Sequence, residues 1–126
     1  MKRSDQIVAW LIVILGAIHG AFTPKVYPAF NLAALWFLGA GLLMMLVGAM
    51  NLLRIRYRRI APGLTAVCMA TNVMLVAYVG AIASRLSLKQ NPQAVLVTVL
   101  LLLEVIFSIV DGERAKIQDD KLAASR

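Results

Sequence analysis

Apolar runs of membrane-spanning length alternate with short polar clusters along this chain. The polar clusters are "MKRSD" at the start, "TPKVYP" from residue 23, "RIRYRR" from 54, "SRLSLKQN" from 84 and "DGERAKIQDDK" from 111. Between them lie four apolar stretches at about 6–22, 32–53, 62–84 and 93–110, leaving 111–126 as a polar tail. A helix crosses a bilayer core with about 20 predominantly apolar residues, within a range of about 17–25. Each stretch therefore reads as one span. Pro62 suits the first turn of its helix, where a backbone N–H is not needed, and the last span is entered just after Asn91-Pro92. Connections this short make neighbouring helices antiparallel. The predicted fold is an all-α, four-transmembrane-helix antiparallel bundle, with 1–126 as a single integral membrane domain.

Composition agrees with the pattern. Of 126 residues, 61% are hydrophobic and only 15% are charged, and the mean hydropathy is +0.82. Soluble domains are about half apolar and about a quarter charged, so the chain falls in the membrane class. A net charge of +7 in a soluble protein would point to nucleic acid. Here the basic residues sit between apolar spans rather than along one face, and no nucleic-acid partner is expected.

The charge instead sets an orientation. Lys2, Arg3, Arg54, Arg56, Arg58, Arg59, Arg114, Lys116, Lys121 and Arg126 fall on one side of the membrane, against Lys25, Arg85 and Lys89 on the other. Lys and Arg are enriched in cytoplasmic loops. Both termini and the "RIRYRR" loop are accordingly expected in the cytoplasm, with the protein in a bacterial cytoplasmic (inner) membrane. Arg54, Arg56, Arg58 and Arg59 are expected to meet anionic lipid headgroups. The first span begins like a secretory signal, but His19 would occupy a position before the cut that calls for a small residue. It is expected to stay as a span.

Small residues mark where helices come close, because lipid tails give apolar side chains no reason to prefer one another. Gly16 and Gly20 form a GxxxG pair, Gly41 and Gly48 lie on one stripe of the second span, and Ala70 and Ala77 on one stripe of the third. The fourth span is bulky apart from Ala94, Thr98 and Ser108. The expectation is a tight cluster of the first three helices, with the fourth turned more toward lipid or another subunit.

Polar groups at membrane depth are rare and often functional. With about 1.5 Å of rise per residue, His19 and Tyr78 fall on one level, about 7 Å outward of the centre. Asn72 and Glu104 form a second level near the middle. Glu104 reads either as a hydrogen-bonded strut between helices, with Asn72 or Thr71 as partner, or as a carboxyl that exchanges a proton. His19 reads as a structural hydrogen bond near its helix end, or as a proton relay or ligand contact with Tyr78. One His and one Cys do not supply the donors of a metal or haem site. No metal and no cofactor is expected.

In size and helix count the chain is similar to the small multidrug resistance transporters. That family carries its membrane glutamate in the first helix, where this chain has His19, and the carboxyl here is Glu104 in the fourth. A small membrane glutathione-transferase family also has four helices, but its Glu-Arg motif is intramembrane, whereas Glu113-Arg114 lies beyond the last span. No reactive constellation of a known type is present in the sequence.

Three functions are compatible with these residues. The first is a non-catalytic binding or accessory subunit for a lipid or hydrophobic ligand. The second is a small proton-coupled transporter working through Glu104, and the third a membrane enzyme with His19 as base. Membrane lipids, and further copies or a larger membrane complex, are the expected partners.

Overall fold

A computed structural model describes residues 2–57, 60–84 and 92–124, and all its regular structure is helical. Five helices follow in order: α1 (Lys2–Ala21), α2 (Thr23–Val26), α3 (Leu32–Tyr57), α4 (Pro62–Ala83) and α5 (Pro92–Ala124). All but the four-residue α2 are long and apolar enough to cross a membrane.

Local chemistry explains where the helices start. Asn31 caps α3, its Oδ1 accepting the Ala34 amide at 3.0 Å, which satisfies one of the free N–H groups of a first helical turn. Pro62 opens α4 and Pro92 opens α5, as a residue with fixed φ and no N–H favours.

The helix ends depart from the pattern in three places. α1 begins at Lys2, so Asp5 lies in its first turn. α3 continues to Tyr57, taking Arg54 and Arg56 into its last turn. α5 runs unbroken for 33 residues to Ala124, through most of the expected tail. In each case a charged segment extends a helix already nucleated by an apolar run.

Two kinds of contact hold the spans together. α1 and α3 meet through glycines. A Cβ at Gly16 would lie 2.7 Å from Gly41 O and 2.8 Å from Met45 N. A Cβ at Gly41 would lie 2.8 Å from Gly16 O, and one at Gly48 2.8 Å from Ala9 O. At this seam backbone lies directly on backbone. α4 and α5 meet instead through larger side chains, and the shared core joins Val8 and Ile12 of α1, Met44 and Val47 of α3, Leu75 of α4, and Val97, Leu100 and Leu101 of α5.

Two expectations are corrected here. Ala70 and Ala77 are exposed, and a Cβ at Gly63 or Gly80 would meet nothing. α4 packs inward through Cys68, Asn72 and Leu75, a stripe of helical spacing on which size and polarity vary too much to be read as a small-residue seam. The second concerns the fourth span. α5 packs on both α1 and α4 and supplies the buried Val97, Leu100, Leu101, Glu104 and Ser108. Its bulky residues fill the interior rather than facing outward.

Candidate functional site

Spacing along each helix puts the polar residues on inward faces. Asn51 and Arg54 are three apart on α3, while Glu104, Ser108 and Asp111 on α5 are four and three apart. Residues so spaced share one helix face. On α1, Asp5 heads the stripe that continues through Val8, Ile12 and the Gly16 contact. These faces converge on the Arg54 guanidinium.

Arg54 is wholly enclosed and binds carboxyl groups from two other helices. Its Nη2 donates to Asp5 Oδ1 of α1 at 2.7 Å and to Glu104 Oε2 of α5 at 3.0 Å. Its Nη1 donates to Asp111 Oδ2 at 3.1 Å, nearer the rim, where that carboxyl is partly exposed. The planar fork of arginine suits such a cluster, because its donors point in fixed, separate directions.

The remaining edge of the guanidinium leads to an amide pair. Arg54 Nε donates to Asn51 Oδ1 at 3.3 Å. Asn51 and Asn72 then bond reciprocally, Asn51 Nδ2 to Asn72 Oδ1 at 2.9 Å and Asn72 Nδ2 to Asn51 Oδ1 at 3.1 Å. The second amide proton of Asn51 reaches Val47 O at 3.0 Å. The result is one hydrogen-bonded network through all four long helices: Asp5 on α1, Asn51 and Arg54 on α3, Asn72 on α4, Glu104 and Asp111 on α5.

The network is rich in acid. Asp5 and Glu104 are both buried and share one nitrogen of one cation. Glu104 Oε1 and Ser108 Oγ are buried without a hydrogen-bond partner. A buried charge is tolerated only when paired, and a buried polar atom left without a partner costs about 1–3 kcal/mol. Chemically, the arrangement leaves Glu104 Oε1 as a buried oxygen at which a proton can be held.

The other candidate residues are distributed differently. Asn72 and Glu104 belong to one network, but Asn72 bonds to Asn51 and Glu104 to Arg54 rather than to each other. The His19 ring stacks on Phe37, with centroids 3.8 Å apart and 20° between planes, and Tyr27 meets the same Phe37 edge-on at 5.6 Å. Tyr78 lies half exposed on α4, which packs on α3 and α5. His19 thus stands in an aromatic stack that the levels of the residues alone did not indicate.

Of the four arginines expected at lipid headgroups, Arg54 is corrected to the interior, because three carboxyls solvate it there. Arg56 is exposed with its guanidinium 5.6 Å from the Tyr57 ring centroid, and Arg58 and Arg59 lie outside the described residues. Gly16, Gly20, Gly41 and Gly48 all lie at the α1–α3 contact, although Gly20 is looser, with Leu38 Cδ1 at 3.5 Å from its virtual Cβ. Among the described residues, no group of three His, Cys, Asp or Glu side chains is placed to hold a metal ion.

Asp5, Asn51 and Asp111 were not among the expected site residues, and Arg54 was expected at the lipid headgroups rather than at the centre of the cluster. A signal for them was present. Each stands near the end of an apolar span, where polar residues are usually assigned to the interface, yet each continues the inward stripe of its helix. No family model, curated protein or solved structure matches this chain.

Proposed function

We propose that the protein is a small proton-exchanging membrane carrier whose working centre is the cluster of Arg54, Asp5 and Glu104. The four spans form an antiparallel bundle in a bacterial inner membrane, with both termini in the cytoplasm, as the distribution of Lys and Arg favours. One observation carries the reading. Two enclosed carboxyls share a single nitrogen of Arg54, and Glu104 Oε1 is buried without a hydrogen-bond partner. Ionisable groups inside a membrane bundle are rare and often mark ion or proton paths. Glu104 has a cation beside it against which a proton can be exchanged.

Vesicles containing the purified protein and an internal pH dye test the reading under an imposed membrane potential. Wild-type protein is expected to carry protons, and Glu104→Gln to reduce the flux to that of empty vesicles. Wild-type vesicles as proton-tight as empty ones would overturn it.

A second reading, a binding or accessory subunit for lipid or a hydrophobic ligand, is favoured by the outer surface. A groove along α1 combines the cationic Arg3 with Ile7, Trp10, Leu11 and Ile14, a pairing suited to an anionic headgroup and its acyl chain. The exposed Ala70 and Ala77 leave room for another helix of the same or a different protein. Native mass spectrometry from mild detergent discriminates the two readings. A single chain without bound lipid removes the second.

A further inference from the structure

Ser108 is 1% exposed, and its hydroxyl has no hydrogen-bond partner. A helical serine or threonine commonly bonds back to a carbonyl three or four residues earlier. Thr71 does so to Val67 O at 2.8 Å, and Ser84 to Ala81 O at 2.7 Å. Ser108 does not. It stands one turn beyond Glu104, whose Oε1 is also buried and without a partner, and one turn before Asp111. Glu104 and Asp111 both bond Arg54, so the α5 face carrying all three residues is turned into the cluster.

Side chains one turn apart on a helix face have Cβ atoms about 5–6 Å apart. One water bridges two polar atoms when it lies about 2.8 Å from each. Buried water is found where otherwise unsatisfied polar groups of this kind converge.

We infer that α5 carries a binding site for a single water molecule, held between Glu104 Oε1 and Ser108 Oγ, through which Glu104 exchanges its proton with the Asp111 end of the bundle. The inference rests on the proton-exchange reading above. In each exchange the water takes the proton from Glu104 and passes one of its own to Ser108 Oγ. Ser108 passes its hydroxyl proton to the Asp111 carboxylate, which gives it up at the partly exposed rim, so water and serine finish unchanged. A hydroxyl both donates and accepts, so Ser108 relays the proton that Glu104 gives up. Among the described residues, the charged and titratable groups around Glu104 are Asp5 from α1, Arg54 from α3, Cys68 from α4 and Asp111 on α5 itself.

Infrared difference spectroscopy of the full chain in lipid, between acidic and alkaline buffer, tests the inference without requiring transport. The Glu104 carboxylic C=O band is identified by its loss in Glu104→Gln. Ser108→Ala is expected to move that band to higher frequency and to slow its exchange in heavy water by about tenfold, the effect of losing a hydrogen bond worth about 1.4 kcal/mol. Ser108→Thr, which keeps the hydroxyl, is expected to restore both. A Glu104 band and exchange rate unchanged in Ser108→Ala would overturn the water site while leaving the proton-exchange reading intact. A Glu104 without any pH-dependent band would overturn both.

Discussion

Arg54 Nη2 lies 2.7 Å from Asp5 Oδ1, joining residues 49 positions apart at one end of the α1–α3 pair. The same nitrogen holds Glu104, so one guanidinium governs the approach of three helices. Removing one partner of a buried ion pair costs far more than the pair itself contributes, because the remaining charge stays buried.

Arg54→Ala is therefore expected to be the most damaging single substitution at the cluster, with a loss of about 3–5 kcal/mol. Thermal unfolding followed by tryptophan fluorescence in detergent checks this. Arg54→Lys keeps the charge but presents a single point of donors in place of the fork, and its midpoint should fall between wild type and Arg54→Ala. Equal midpoints for wild type and Arg54→Ala would show that the cluster contributes nothing to the fold.

Glu104→Gln is expected to leave the fold intact. Asp5 remains to pair with Arg54 at 2.7 Å, and a neutral amide of the same shape still accepts from Nη2. Proton flux and thermal stability should thus separate: flux lost, midpoint within about 1 kcal/mol of wild type. A collapse of stability in this variant would make the carboxyl a strut rather than an exchanging group.

The asparagine pair offers an independent measure of the network. Asn72→Ala strips Asn51 of one donor and one acceptor partner in an enclosed position, which costs about 1–3 kcal/mol. In a double-mutant cycle with Asn51→Ala, the two losses should fail to add, because each removes the same two bonds. Additive losses would mean that the pair does not form.

Glycine substitutions should divide by position. Gly16→Ala or Gly41→Ala drives a methyl group against backbone of the facing helix, at 2.7–2.8 Å. Separating the helices to admit it costs about 1–3 kcal/mol. Gly80→Ala meets open space and should be neutral or stabilising by up to about 1 kcal/mol through helix propensity. The order of melting midpoints across these variants checks the seam, and the reverse order would refute it.

How far the sequence could be read depended on whether the deciding signal was local. The first-span glycines were legible because a GxxxG spacing on one helix is itself a demand for a close neighbour, and Gly16 meets Gly41 accordingly. The Ala70 and Ala77 stripe has the same form but faces outward, because nothing in α4 alone says which of its faces the chain will bury. Glu104 was legible as an anomaly, a carboxyl in an apolar run, but its partner was not. Arg54 lies in a basic cluster that reads as a headgroup anchor, and only Asp5 and Asp111, contributed by other helices, draw it inward.

Four helices long and apolar enough to cross a membrane follow from the linear chain alone. That outcome follows from hydropathy summed over consecutive residues, and from the need of each backbone N–H and C=O for a partner where no water is present. Packing of the helices makes Arg54 an interior residue, bonded across 49, 50 and 57 positions of chain to Asp5, Glu104 and Asp111. The reason is physical. A charge in an apolar setting is stable only beside its counter-charges, and which counter-charges it meets depends on how helices distant in sequence pack their faces together.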